Sequence, residues 1–199
     1  MQQISASDAH IAESGLKGIE ILAKVLGVAV PPANLLATLI ETVRDRKTER
    51  QIRKLEELVD EVIPRLERLE ESISKPEDPD LLDEILAKAV NDEHEAKTHY
   101  YAALIEYAVS GTREAYQVRL LADAIKGLTP LEIRAFEHFD KHGALRKDIP
   151  EDLRDIFWDR ICTFGLYPRA ENGRQGCTTA LGVRLLEVCR LAEAASKNR

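Results

Sequence analysis

The sequence predicts a mainly α-helical protein with one small β-hairpin near its C-terminus, and three observations carry that prediction. Leu, Ala, Glu and Arg abound in a chain with 44% hydrophobic but only 5% aromatic residues, a composition of helix formers. Apolar residues from Ile52 to Ile73 recur at alternating steps of 3 and 4, the period of one helix face. Capping residues and glycine stops punctuate the second half, and Asn172-Gly173 within "LYPRAENGRQGCT" is a dipeptide suited to a hairpin turn.

The elements follow in order. A helix is expected from about Ala6 to Val28, a break at Pro31-Pro32, and a second helix from about Ala33 to Ser74. Within it Ile52, Leu55, Val59, Val62, Leu66, Leu69 and Ile73 form a heptad seam. That seam suits either a coiled-coil arm serving as a homo-oligomer interface or packing against neighbouring helices. Pro64 lacks an N–H and is expected to kink or restart the helix. "SKPEDPD" marks the clearest boundary, with Asp78 as N-cap and Pro79 opening a helix that runs to about Val109. Gly111 and Thr112 separate it from a helix over Arg113 to Lys126.

"GLTPLE" carries a capping box, Thr129 with Glu132, and Pro130 in the first turn; its helix runs to His142 before Gly143. A helix from about Glu151 to Phe164 stops at Gly165, the hairpin follows, and Thr179 caps a last helix to about Ala195. Leu131, Ala135, Phe136 and Phe139, Ile156, Phe157, Ile161 and Phe164, and Leu181, Leu185 and Val188 are the expected core of this part. The chain thus divides into an N-terminal helical hairpin or coiled-coil region (1–75), a central helical region (79–127) and a C-terminal module (128–199).

Charge limits the function classes. The net charge of −7 gives no overall attraction to nucleic acid or anionic membrane. It is uneven: residues 1–80 hold 11 Lys and Arg against 16 acids, residues 81–127 hold 5 against 8, and residues 128–199 hold 12 against 11. Cys162, Cys177 and Cys189 form no CxxC pair and fit free thiols in a reducing compartment. No basic leader with a small-residue cleavage site opens the chain, so a cytoplasmic protein is expected. The uncharged run between Lys24 and Glu41, broken by Pro31-Pro32, is too short to span a bilayer, and no membrane role is expected.

Helix, second helix, Gly-turn hairpin and capped helix make the layout of a winged helix, and "LTPLEIRAFEHFDKHG", "ICTFGLYPR" and "TTALGVRLLEVC" resemble winged-helix proteins. The resemblance implies a DNA-binding regulator as one reading, with Arg154, Arg160, Arg169 and Arg174 as phosphate contacts. Against it, the segment Glu151 to Phe164 has Glu151, Asp152, Asp155 and Asp159 facing only two arginines, a poor footprint for a polyanion. Over roughly its C-terminal half the chain also resembles the Abi-alpha group of bacterial helical proteins, through "LTPLE", "FGL" and "TALG". That resemblance implies an interaction or sensing role in stress or phage defence and carries over no catalytic residue. The leading expectation is a non-enzymatic interaction module without cofactor that docks protein partners.

Chemistry-bearing clusters are few. Asp92, Glu95 and His99 are spaced 3 and 4, which on one continuous helix would face a divalent cation together. His138 and His142 are four apart, but in a last turn they suit the helix C-terminal dipole better than a metal. Neither HExxH nor a phosphate-binding glycine loop is present, so no enzyme is expected. Tyr100, Tyr101, Tyr107, Trp158 and Cys189 read as packing residues.

Overall fold

The computed structural model describes residues 49–69, 73, 78, 80–111, 113–142, 149–168 and 177–196. Among them the chain forms seven α-helices and no strand: α1 (Glu49–Leu69), α2 (Leu81–Val90), α3 (Thr98–Val109), α4 (Ala115–Gly127), α5 (Pro130–His142), α6 (Glu151–Thr163) and α7 (Ala180–Ser196). The expected helix over Ala6 to Val28 and the Lys24–Glu41 run lie outside the described residues. None of the described helices is long and apolar enough to cross a membrane.

The sequence of α3, THYYAALIEYAV, explains its place at the centre. It holds one carboxylate and no Lys or Arg, and every residue from Tyr100 to Val109 is buried. Ala102, Ala103 and Ala108 let neighbouring helices approach closely, and α1, α2, α4 and α7 all pack on it. The three tyrosines are packing residues, as their helical spacing predicts.

The heptad face of α1 is spent inside the chain. Leu55, Val59, Val62 and Leu66 are buried at 5% exposure or less, with Leu69 and Ile73 packed against the same cluster, and α1 lies along α3. The side chain of Ile52 lies outside the described residues. Of the two alternatives for the seam, packing against neighbouring helices accounts for these residues: a central helix of the same chain covers them. Helix α1 runs through Pro64 to Leu69 as one element, so the helix does not restart at that proline.

The single helix expected from Pro79 to Val109 is two. Asn91 Nδ2 donates to Ala87 O (2.7 Å) and closes α2, while Asp92 Oδ1 accepts the His94 N–H (2.9 Å), an Asx turn that competes with the helical ladder. A 3₁₀ turn over Glu95–Lys97 then leads into α3.

Local signals further on hold. Thr129 N donates to Glu132 Oε2 (2.6 Å) and Glu132 N to Thr129 Oγ1 (3.2 Å), completing the predicted capping box. Gly165 takes φ +68°, and the Thr179 hydroxyl accepts the Gly182 N–H at 3.1 Å. Buried residues from α1 through α7 join one cluster.

The predicted hairpin is not formed as strands among the described residues. Tyr167, Pro168 and Cys177 to Thr179 have no strand conformation, and residues 169–176 lie outside the described set. What remains is a pinned loop base: Thr179 N donates to Leu166 O (3.1 Å) and the Thr179 hydroxyl to Gly165 O (2.6 Å). Leu166 is buried beneath it. Phe139 of α5, Trp158 of α6 and Tyr167 form an aromatic cluster with centroids 4.6 to 5.6 Å apart, which ties α5, α6 and the loop together.

Candidate functional site

Of the residues singled out as ligands, Asp92 is set apart in the turn between α2 and α3, while Glu95 and His99 line one groove. Asp92 is buried, and its carboxylate accepts from Lys97 Nζ (2.9 Å), Tyr101 Oη (2.7 Å) and His94 N. Lys97 also donates to Ile125 O (3.0 Å) and Lys126 O (2.9 Å), so a buried ammonium caps the C-terminal carbonyls of α4. Lys54 of α1 reaches Asp92 O from the other side. Burial alone would raise the Asp92 carboxyl, but these donors hold it below its ordinary value.

Glu95 instead faces Arg53 (3.4 Å) and Arg50 (4.0 Å) on the surface. Asp92, Glu95 and His99 therefore do not converge, and among the described residues no group of three His, Cys, Asp or Glu is placed to hold a metal. His138 and His142 stack with ring centroids 4.3 Å apart in the last turn of α5. Asp140 accepts from the Thr178 hydroxyl.

One groove, of about 370 Å³, lies between α1 and the start of α3, lined by Glu57, Asp60, Glu61, Glu95, Thr98 and His99. Burial lowers the His99 imidazole below its usual value, with Glu61 opposing and Arg65 and Arg134 assisting. The groove is acidic at its rim, and its carboxylates come from two separate elements that sequence spacing does not relate.

Helix α6 departs most from its predicted role. Phe157 and Ile161 are buried and Trp158 is half-buried against Phe139, so this face holds the body. Ile156, expected in the core beside Phe157, is 55% exposed, and Leu153 is 45% exposed. The reason is helical phase: adjacent residues stand about 100° apart, so burying Phe157 turns Ile156 outward. Leu131, also expected in the core, is 42% exposed in the first turn of α5. Asp152, Asp155 and Asp159 are exposed along one side of the Leu153–Ile156 strip and make no side-chain bond to the described residues.

The two described phosphate-contact candidates are engaged by acids of the same chain. Arg160 Nε lies 2.6 Å from Glu132 Oε1, and Arg160 also donates to Gly127 O. Arg154 Nη1 lies 3.5 Å from Glu151 Oε1. Arg169 and Arg174 lie outside the described residues. The exposed side of α6 thus presents carboxylates and aliphatic carbon, with both of its arginines paired to acids.

No family model matches the chain, and neither a curated protein nor a solved structure matches it.

Proposed function

We propose that the chain is a non-enzymatic protein-interaction module that docks its partner on the exposed face of α6. The observation that carries this reading is the outward Leu153–Ile156 pair on a helix whose opposite face already anchors it to the core. Exposed aliphatic residues scattered singly are ordinary, but two on adjacent turns of one face, edged by carboxylates, make an apolar strip with a polar rim. A place in bacterial stress or phage defence is supported only by the likeness of "LTPLE", "FGL" and "TALG" to the Abi-alpha group.

The runner-up, a winged-helix DNA regulator, would use the same helix. Weighing against it are Asp152, Asp155 and Asp159 on the side that would enter a groove, and the pairing of Arg154 and Arg160 with acids. Two parallel measurements separate the readings. In quantitative affinity capture from the source cell, the interaction reading expects proteins that are retained by the wild type and lost with Leu153→Ser/Ile156→Ser, at unchanged melting temperature. In fluorescence anisotropy with a random DNA duplex it expects no binding, even at low salt. Duplex binding that falls steeply with salt, together with capture indifferent to the double change, would replace it with the regulator.

A further inference from the structure

We infer that the partner segment received by α6 is a basic amphipathic helix, a refinement that rests on the interaction-module reading above. The argument is the lateral order of side chains around α6. Starting from the buried Phe157–Ile161 line, the next strip holds Leu153 and Ile156, followed one turn on by Arg160, which is paired with Glu132, and beyond it run Asp155, Asp152 and Asp159, spaced 3 and 4 residues along the helix. Apolar contact and negative charge therefore lie side by side in two parallel lines. A second helix laid along α6 meets the first line with residues at i, i+3, i+4 and i+7, and meets the second with the neighbouring line of its own surface.

Charge decides which residues suit that second line. The three aspartates make no side-chain bond to the described residues, whereas Arg154 and Arg160 are held by Glu151 and Glu132. An approaching segment therefore meets three exposed carboxylates, unpaired among the described residues, beside an aliphatic strip. Lys or Arg there gains attraction and keeps its own charge partly hydrated, whereas Asp or Glu is repelled. Long aliphatic stems let basic residues cover Leu153 and Ile156 while the charged ends reach the carboxylates. Phosphate is the wrong ligand for this face, which is why the position a recognition helix would occupy is better suited to protein.

The test uses the full chain and two labelled helical peptides of about five turns. Both have Leu at i, i+3, i+4 and i+7; one carries Lys and the other Glu beside that stripe. The Lys peptide is expected to bind with an affinity that falls as salt rises, at least roughly tenfold tighter than the Glu peptide. Asp152→Asn/Asp155→Asn/Asp159→Asn should weaken it by roughly tenfold, as removal of three rim charges implies. Leu153→Ser/Ile156→Ser should weaken it as much. Glu56→Gln/Glu57→Gln/Asp60→Asn, which removes equal charge from α1, should leave it unchanged.

Equal binding of the two peptides, no binding of the Lys peptide, or loss in the α1 variant instead of the α6 variant would overturn the inference; the last outcome would put the peptide in the groove by His99. A dimer that dissociates on Ile156→Asp would give the face to a second copy, and duplex binding through α6 would give it to DNA, each likewise overturning it. If the Lys peptide fails while affinity capture still depends on Leu153 and Ile156, the interaction reading stands and only the partner's charge is wrong.

Discussion

The Lys97 ammonium stands 2.9 Å from Oδ2 of Asp92, with the two side chains only 1% and 4% exposed. This pair joins the turn after α2 to the end of α4, because the same ammonium donates to the carbonyls of Ile125 and Lys126. Lys97→Met leaves a buried carboxylate facing Tyr101 alone among side chains and strips two carbonyls of their donor. We expect a loss of about 3–5 kcal/mol in urea unfolding. Asp92→Asn/Lys97→Met should cost less than the sum of the single changes, and strict additivity would show that the pair is uncoupled. The pH dependence has a fixed sign. Asp92 is depressed below its ordinary 3.8, so its contribution is fully present above that value and is lost as pH falls from there through the folded-state value. Asp92→Asn should flatten that acid limb.

A second expectation concerns the heptad face. Because Leu66 is fully buried, Leu66→Ala should cost about 2–5 kcal/mol in a single cooperative transition. The loss should not depend on protein concentration, since the cavity opens within one chain. A midpoint that moves with concentration in the wild type and not in the variant would mean that the seam also joins copies.

Signals confined to a few neighbouring residues were legible in the sequence. The Thr129–Glu132 box, the Gly165 stop and the Thr179 cap each need only their own turn, and each forms as read. The break before α3 rests on two things: Asn91 and Asp92, turn-favouring residues whose local bonds a reading by face spacing passes over, and Lys97, held by carbonyls almost thirty positions on, which no local signal shows. The heptad pattern revealed a buried face, but spacing alone does not say whether the covering helix belongs to the same chain. The α6 face was hidden for a different reason: Ile156, Phe157, Ile161 and Phe164 together read as one apolar face, whereas the folded helix buries Phe157 and Ile161, sets Trp158 against Phe139 and leaves Ile156 outside. The Glu57–His99 groove joins elements that no spacing rule connects.

Two glycines should respond unequally to Ala. At Gly182 an added Cβ would collide with the Leu166 carbonyl, a backbone atom that already accepts the Thr179 N–H. At Gly127 it would collide with the ring of Phe164, a side chain able to turn away. Gly182→Ala is expected to lower stability by about 1–3 kcal/mol and Gly127→Ala by less. Equal thermal shifts would mean that the loop base yields as readily as a side chain.

The three thiols should separate by rate. Cys177 is exposed, Cys162 half-buried and Cys189 buried. Burial, reinforced by Glu137, raises the Cys189 thiol well above its usual range, so it lacks both access and thiolate. With an aromatic disulfide reagent at neutral pH, Cys177 should react first and Cys189 only at the rate of opening. Prompt labelling of Cys189 in folded protein would show that α5 and α7 part readily.

Glu137 supplies the opposite pH behaviour from Asp92. It is 7% exposed on α5, and burial raises its carboxyl, with Glu193 adding to the effect and Lys141 opposing it. A raised carboxyl binds its proton more tightly folded than unfolded, so stability is fullest below the ordinary 4.5 and declines as pH rises through the folded-state value. Glu137→Gln keeps the shape and the hydrogen-bonding end without the charge. It should therefore stabilise the protein at neutral pH and leave it unchanged well below the ordinary carboxyl range. Lys141 lies 3.8 Å from Glu193 at the edge of this cluster, and its removal should deepen the decline in the wild type but not in Glu137→Gln. Melting temperatures across pH for the two single variants and their combination check both statements. A Gln variant that loses stability at neutral pH would show that the Glu137 charge is compensated where it lies.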